Sequence, residues 1–104
     1  MHLSKRETIG GSESRSQVLP DQNVYIRHVR PTPLTPIRID GRSFPIWCKL
    51  EFLNPSGSTK DRIARHILEK AWRQNQLSET STVVEASSGS TSIAFALACS
   101  QMGL

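Results

Sequence analysis

NPSGSTKDR, residues 54–62, is the stretch that decides the fold of this chain, because it joins a strand pattern to a helix pattern at one lysine. Residues 46–52, which precede it, alternate apolar with other side chains, as strands do. Residues 63–72, which follow it, carry apolar side chains at helical spacing along one stripe. The sequence therefore predicts a strand, a glycine-containing turn and a helix, with Lys60 in the first turn of that helix.

Lys60 is placed where the helix dipole disfavours a positive charge. Ser58 or Thr59 can cap this helix, and Asp61 suits its positive end. A lysine amine is a nucleophile only when it is neutral, and a helix start and partial burial both favour the neutral amine. Lysines of this kind form Schiff bases with carbonyl compounds or with pyridoxal phosphate. The alternative is an ordinary solvated surface lysine.

A phosphate-binding P-loop is excluded at this lysine. That motif reads G-x-x-x-x-G-K-[ST]. Here Gly57 stands three residues before Lys60, no glycine is at position 54, and Asp61 replaces the hydroxyl residue that would hold magnesium.

A second motif, VVEASSGST at residues 83–91, reads as a strand that ends in a serine-rich loop and opens a helix. The start of a helix presents unpaired backbone N–H groups and a positive dipole end, and hydroxyl side chains add donors around an anion. Gly89 lets the backbone approach a ligand closely. The alternative is that the serines only cap the helix. Both interpretations stay open at this point.

With both motifs in place, and with PTPL at residues 31–34, the chain resembles the pyridoxal-phosphate enzymes of the cysteine synthase and cystathionine β-synthase family, known as fold type II. That family carries its lysine in an N-x-x-G-S-x-K-D-R context, followed about thirty residues later by a Thr/Ser-Ser-Gly-Asn-Thr loop. The resemblance covers about residues 25–104. It implies an α/β fold, namely the three-layer parallel-sheet fold of the tryptophan synthase β-subunit type, of which this chain would be the N-terminal portion.

The resemblance also implies roles for individual residues. Lys60 would be the catalytic residue, which binds the cofactor aldehyde as a Schiff base and moves the substrate α-proton. The amino-acid carboxylate would be held by four residues of the loop: Ser87, Ser88, Gly89 and Thr91. Ser90 stands where most of the family has an asparagine that contacts the 3′-hydroxyl of the cofactor. Serine is shorter, so that contact would be lost, bridged by water or made with a shifted ring.

The implied function is β-replacement or β-elimination on a serine- or cysteine-type amino acid. A cysteine synthase-like reaction of O-acetylserine with sulfide, or a cystathionine β-synthase-like reaction, is favoured. Ser90 raises the alternative of a cysteine desulfhydrase or β-lyase, because some branches of the family carry serine there. Two more functions stay open, namely a threonine dehydratase-like enzyme and a non-catalytic, truncated fragment that acts only in binding. The complete enzyme would be a homodimer with a small amino-acid substrate.

Composition excludes several classes of function. The net charge is +4, but the arginines are spread over loop-like sequence without aromatic platforms or a binding motif, so nucleic-acid binding is not predicted. No apolar stretch has membrane-spanning length, and no membrane partner is expected. Cys48 and Cys99 lack paired spacing and indicate buried thiols in a reducing compartment, so a cytoplasmic location is expected. The scattered histidines predict no metal site.

The order of the remaining elements predicts how the chain is organised. Residues 1–23 are polar and predict a flexible leader, and residues 24–104 would be the N-terminal part of a catalytic domain. Short strands are expected at residues 24–29 and 37–39, another strand near residues 82–85, and a helix at residues 91–101 that is buried on more than one side. This order predicts a parallel sheet with covering helices. Such sheets are buried on both faces, so the chain would be incomplete and inactive alone.

Overall fold

A computed structural model describes residues 1–4 and 27–104 of the 104-residue chain, without the side chains of residues 2–4. Apart from residues 27 and 28, which are helical, the described residues form four strands, two helices and one 3-10 turn. In chain order these are β1 (His2–Ser4), β2 (Leu34–Ile37), β3 (Ile46–Lys49), the 3-10 turn (Glu51–Leu53), α1 (Lys60–Arg73), β4 (Thr82–Val84) and α2 (Ser90–Met102). Most of the predicted leader, residues 5–23, lies outside the described residues, so its flexibility stays a prediction.

The described strands form two separate antiparallel pairs. Strand β1 pairs with β4, so that His2 lies opposite Val84. Strand β2 pairs with β3, so that Leu34 lies opposite Lys49 and Ile37 opposite Ile46. Strands β3 and β4 belong to different pairs, so within the described residues they do not form the predicted parallel sheet. The three-layer fold therefore stays a prediction.

The β2–β3 hairpin explains why one predicted strand is displaced. The turn after β2 is closed by a hydrogen bond from the Arg42 N–H to the Ile39 carbonyl at 3.1 Å, with Gly41 at a φ of 82°. This turn leaves Arg38 and Ile39 outside the strand, which covers Leu34–Ile37 instead of residues 37–39. In the predicted strand at residues 24–29, residues 24–26 lie outside the description, and residues 27 and 28 are helical.

Helices α1 and α2 pack against each other and supply most of the core. The buried apolar side chains are Val29, Ala64, Leu68, Ala71, Leu77, Ala94, Phe95 and Ala98. Alanines make up half of these buried side chains and lie on both helices. Helix α2 ends at Gly103, which has a φ of 74°, and the N–H of Leu104 donates to the Cys99 carbonyl at 3.0 Å. The helix predicted at residues 91–101 is therefore confirmed, with one more residue at each end.

Helix α2 is buried on one face within the described residues, and the prediction of burial on more than one side is wrong for them. Ile93 is 58% exposed, because the described chain packs α1 on one side of α2 and leaves Ile93 uncovered. More large apolar side chains are exposed near the hairpin and the 3-10 turn, among them Trp47 at 60% and Phe52 at 65%. None of the described helices is long and apolar enough to cross a membrane.

Cys48 and Cys99 are both free thiols. Both are half-buried, so the prediction of buried thiols holds only in part. Burial raises the pKa of the Cys99 thiol on α2. In residues 1–4 and 27–104, no group of three or more metal-ligating side chains comes together.

Candidate active site

Lys60 is the first residue of α1, at the end of the turn that the sequence predicted. We call residues 54–60 the lysine turn. Within it, Gly57 has a φ of 84°, and its N–H donates to the Asn54 carbonyl at 2.8 Å. The hydroxyl of Ser58 accepts the N–H of Lys60 at 3.1 Å, whereas Thr59 makes no side-chain capping bond. The strand, turn and helix are therefore confirmed, although the strand ends at Lys49 and the 3-10 turn follows.

Asp61 anchors the lysine turn from inside the protein. Its side chain is fully buried. Both carboxylate oxygens accept the N–H of Ser56 at 3.1 Å, and one of them also accepts the Ser56 hydroxyl at 2.5 Å. A buried carboxylate needs such donors because it has lost its hydration. Asp61 therefore lies at the helix start, as predicted, and fixes the segment that leads into Lys60.

A second carboxylate, that of Glu51, joins three segments of the chain. Arg62 donates to both of its oxygens, through Nε at 2.7 Å and Nη2 at 2.8 Å. The hydroxyl of Thr32 and the side-chain amide of Asn54 are the remaining donors. The hydrogen bonds from Arg62 and then Thr32 lower the pKa of Glu51 from 4.5 to about 2, and Glu51 in turn raises the pKa of Arg62. We call these four residues the Glu51 cluster.

Asn54 connects the Glu51 cluster to the lysine turn. Its side chain is buried, and its amide nitrogen donates to Glu51 and to the Ser58 carbonyl, both at 2.9 Å. Its side-chain oxygen is buried without a hydrogen-bond partner in the described part of the chain. The sequence motifs contain Thr32, Asn54 and Arg62, and the strand pattern contains Glu51, but no role was predicted for any of the four. The Asn-Pro step after a strand was the one local signal, because it is typical of a turn.

The serine loop, residues 87–91, opens α2 without a side-chain cap. Gly89 occupies the N-cap position, and no side chain caps the helix from there. The Ser87 hydroxyl accepts the N–H of Gly89 at 3.3 Å, and the Ser92 hydroxyl donates to the Gly89 carbonyl at 2.8 Å. The first backbone N–H groups of a helix have no intrahelical partner. The interpretation in which the N-cap side chain satisfies them is therefore not what the structure shows.

The remaining hydroxyls of the serine loop are available to a ligand. Those of Ser88, Ser90 and Thr91 make no hydrogen bond to any residue in the described ranges. A Cβ added at Gly89 would meet nothing within 4 Å, so open space lies beside the backbone. Spare hydroxyls, uncapped N–H groups and a helix dipole together form a donor set that suits a carboxylate or another anion.

Lys60 and the serine loop lie at the starts of the two helices that form the core. Lys60 is half-buried, and among residues 1–4 and 27–104 its amine has no hydrogen-bond or ion-pair partner. The structure therefore places the predicted residues on one packed unit, without a direct hydrogen bond between the lysine and the loop. An amine without a partner and an uncapped helix start fit a carbonyl cofactor and an anionic substrate.

A lysine at a strand–turn–helix junction, together with a serine-rich helix start, has the chemistry of a protein that binds a carbonyl cofactor and an anion. The family model described as pyridoxal-phosphate dependent enzyme matches residues 25–104. This chain belongs to that family, and pyridoxal phosphate is the cofactor of the family. The resemblance found in the sequence is therefore confirmed.

Individual relatives agree with the family. N-(2-amino-2-carboxyethyl)-L-glutamate synthase from Cupriavidus metallidurans is 43% identical over 84 residues, which are 79% of this chain and 25% of that protein. Cysteine synthase from Staphylococcus aureus is 40% identical over 74 residues, which are 69% of this chain and 24% of that protein. The chain thus spans about a quarter of the length of these curated relatives. No solved structure is significantly similar to it.

Proposed function

We propose that this chain carries the lysine and the carboxylate-binding loop of an enzyme that performs β-replacement or β-elimination on a serine- or cysteine-type amino acid. The observation that carries the proposal is the pairing of Lys60 at the start of α1, whose amine has no partner among the described residues, with the uncapped start of α2. The complete fold would be the three-layer fold of the tryptophan synthase β-subunit type. The family match over residues 25–104 supports this assignment.

Each part of the site has a task that suits its chemistry. Lys60 binds the cofactor aldehyde through its amine and then takes and returns the substrate α-proton. The substrate carboxylate is held at the start of α2 by Ser87, Ser88, Gly89 and Thr91. Ser90 takes the position of the residue that contacts the 3′-hydroxyl of the cofactor in most of the family, so that contact would be lost, bridged by water or made with a shifted ring. The cofactor, when bound, withdraws electrons from the α-carbon of the substrate.

The names of the relatives support β-replacement as the reaction type. Cysteine is a 2-amino-2-carboxyethyl group on sulfur, and the product name of the Cupriavidus metallidurans relative places the same group on the nitrogen of glutamate. The two products therefore differ in the nucleophile and share the amino-acid part. We favour one of two replacement reactions: a cysteine synthase-like reaction of O-acetylserine with sulfide, or a cystathionine β-synthase-like reaction. A cysteine desulfhydrase or β-lyase is the second candidate, because of Ser90.

The proposal extends to assembly and location. A homodimer is proposed for an enzyme of the relatives' length, and the two free cysteines fit a reducing compartment such as the cytoplasm. The exposed apolar side chains of the hairpin and 3-10 turn are surfaces that an enzyme core would normally cover. We therefore propose that these 104 residues do not turn over substrate by themselves. A non-catalytic role in binding is the rival function.

Covalent trapping tests the assignment of the lysine. The chain is incubated with pyridoxal phosphate, reduced with borohydride and digested, and the modified peptide is identified by mass spectrometry. Label is expected on Lys60 and is expected to disappear in Lys60→Ala. Lys70→Ala is the matched control, because Lys70 is an exposed lysine in the last turn of the same helix. Label confined to lysines elsewhere in the chain would reject the proposal.

A second assay separates the candidate reactions. A protein of the relatives' length that contains these residues is supplied with O-acetylserine and sulfide, or with cysteine alone. Formation of cysteine supports replacement, whereas release of sulfide, ammonia and a keto acid from cysteine supports the β-lyase. If neither reaction occurs while the purified chain is stably folded and shows no cofactor absorbance, the binding role is favoured.

A further inference from the structure

We infer that Glu51 is a positioning residue for Lys60, acting through Asn54 and Arg62 on the two sides of the lysine. This inference rests on the proposed function of Lys60. Glu51 does not touch the amine itself. It would control where the first turn of α1 lies and therefore where the amine points.

The first step of the argument is that Glu51 holds the residue two positions after the lysine. Arg62 donates to both carboxylate oxygens of Glu51, at 2.7 and 2.8 Å. Arg62 Nη2 also donates to the carbonyl of Arg30 at 3.2 Å. A paired, two-point contact of this kind fixes direction as well as distance. The C-terminal side of Lys60 is therefore tied to the segment before β2 and to the 3-10 turn.

The second step is that Glu51 also holds, through Asn54, the residue two positions before the lysine. The side-chain amide of Asn54 donates to Glu51 and to the Ser58 carbonyl, at 2.9 Å in each case. The hydroxyl of the same Ser58 accepts the N–H of Lys60 at 3.1 Å. Because Asn54 is buried, water cannot readily replace these bonds. Glu51 is thus connected to the backbone of Lys60 through Asn54 and Ser58, with the Ser58 carbonyl bound on one side and the Ser58 hydroxyl on the other.

The third step is that this arrangement requires a negative charge. Every neighbour of the Glu51 side chain named above is a donor: the Thr32 hydroxyl, the Asn54 amide and the Arg62 guanidinium. A glutamine would put an N–H₂ group where one carboxylate oxygen now accepts, so at least one donor would face another donor. With its pKa at about 2, Glu51 is ionised throughout the pH range in which a lysine amine reacts.

The chain offers a closely matched control on the same helix. The Arg62–Glu51 pair has an N···O distance of 2.7 Å and side chains that are 40% and 17% exposed. The Arg65–Glu69 pair has a distance of 3.2 Å and side chains that are 38% and 19% exposed. Glu51→Gln and Glu69→Gln therefore remove the same charge from similar surroundings. Within the described ranges, the first pair is connected to the lysine turn through Asn54 and the second pair is not.

The experiment measures the rate at which Lys60 is labelled by pyridoxal phosphate and borohydride in the full chain. The rate is followed by mass spectrometry between about pH 6 and pH 10 and is normalised to the amine of Met1, which lies near Glu85. Glu51→Gln is expected to slow the labelling of Lys60 about fivefold and to alter its pH profile, whereas Glu69→Gln changes it less than about twofold. Glu51→Asp, which keeps the charge, is expected to recover part of the rate.

A second variant keeps the test decisive if Glu51→Gln does not fold. Asn54→Ala removes the bond to the Ser58 carbonyl and leaves the Arg62–Glu51 pair in place. It should also slow the labelling of Lys60. Equal labelling of Lys60 in Glu51→Gln and Glu69→Gln, or an unchanged rate in Asn54→Ala, would overturn the inference while the proposed function stands. If Lys60 is not labelled in the parent chain, both are overturned.

Discussion

The buried carboxylate of Asp61 provides the sharpest test of how the lysine turn is held. Asp61 is fully buried and accepts two donors from one residue, the N–H and the hydroxyl of Ser56. Hydrogen bonds to a charged group contribute about 1.5–3 kcal/mol each. Ser56 is half-buried, so water can reach it in part and the lower end of that range applies.

Two substitutions at this position should therefore give graded effects. Asp61→Ala removes the acceptor for both donors and should lower the free energy of unfolding by about 3 kcal/mol. Asp61→Asn keeps one acceptor oxygen and should lose about half of that, about 1.5 kcal/mol. For a domain of this size, the smaller loss corresponds to a decrease in Tm of roughly 6–12 °C.

Urea and thermal denaturation, followed by circular dichroism, measure these changes. Asp40→Asn is the control, because it removes the same charge from an exposed turn and should stay within about 0.5 kcal/mol of the parent. Two outcomes would refute the reasoning: an Asp61→Asn protein as stable as the parent, or equal losses in Asp61→Asn and Asp40→Asn. Either result would mean that the bonds to Ser56 do not hold the turn.

Three further predictions concern individual residues. Gly57→Ala should destabilise the chain by about 1 kcal/mol, because Gly57 has a φ of 84°. Gly89→Ala should leave stability unchanged in the same denaturation assay, because the added Cβ would meet nothing within 4 Å. Equal losses of stability in the two variants would contradict the left-handed backbone of Gly57. The pKa of Glu51 falls from 4.5 to about 2 on folding, so its stabilising contribution is present above pH 4.5 and is lost as the pH falls towards 2. The difference in unfolding free energy between parent and Glu51→Gln should therefore shrink across that window, and a constant difference would count against the low pKa. Leu68→Ala should lower the free energy of unfolding in urea by about 2–5 kcal/mol, because Leu68 is fully buried in the core that α1 and α2 form. A loss below about 1 kcal/mol would show that this core is loosely packed.

The parts of this fold that could be predicted from sequence are those decided by neighbouring residues. The alternation at residues 46–52 and the helical spacing at residues 63–72 located the lysine turn to within a few residues. The glycine at position 103 ended α2 because it can adopt a left-handed backbone. Local propensity and capping act over a few residues, so one sequence is enough to reveal them.

Strand pairing and the Glu51 cluster depend on residues far apart in the chain. Thr32 and Arg62 lie 19 and 11 residues from Glu51, and charged or hydroxyl side chains at such separations are too common to signal a contact. The pairing of β1 with β4 likewise joins residues that are distant in sequence. The order of strands and helices along the chain predicted a parallel sheet, but that order does not show which strands pair. In the structure β2 pairs with its neighbour β3 as a hairpin, which closes only a short loop.

The two halves of the candidate site differ in how their polar groups are satisfied, and this difference is itself an argument for function. Around Lys60, the neighbouring side chains of Asn54, Asp61 and Arg62 are bound to other parts of the chain, and among residues 1–4 and 27–104 the amine itself has no partner. At the start of α2, the backbone is uncapped and the hydroxyls of Ser88, Ser90 and Thr91 are unused within the described residues. A protein gains no stability from unpaired donors, but a site that binds an anion needs them available before the ligand arrives. A fixed nucleophile and an open set of donors are what preorganised binding of a carbonyl cofactor and a carboxylate would require.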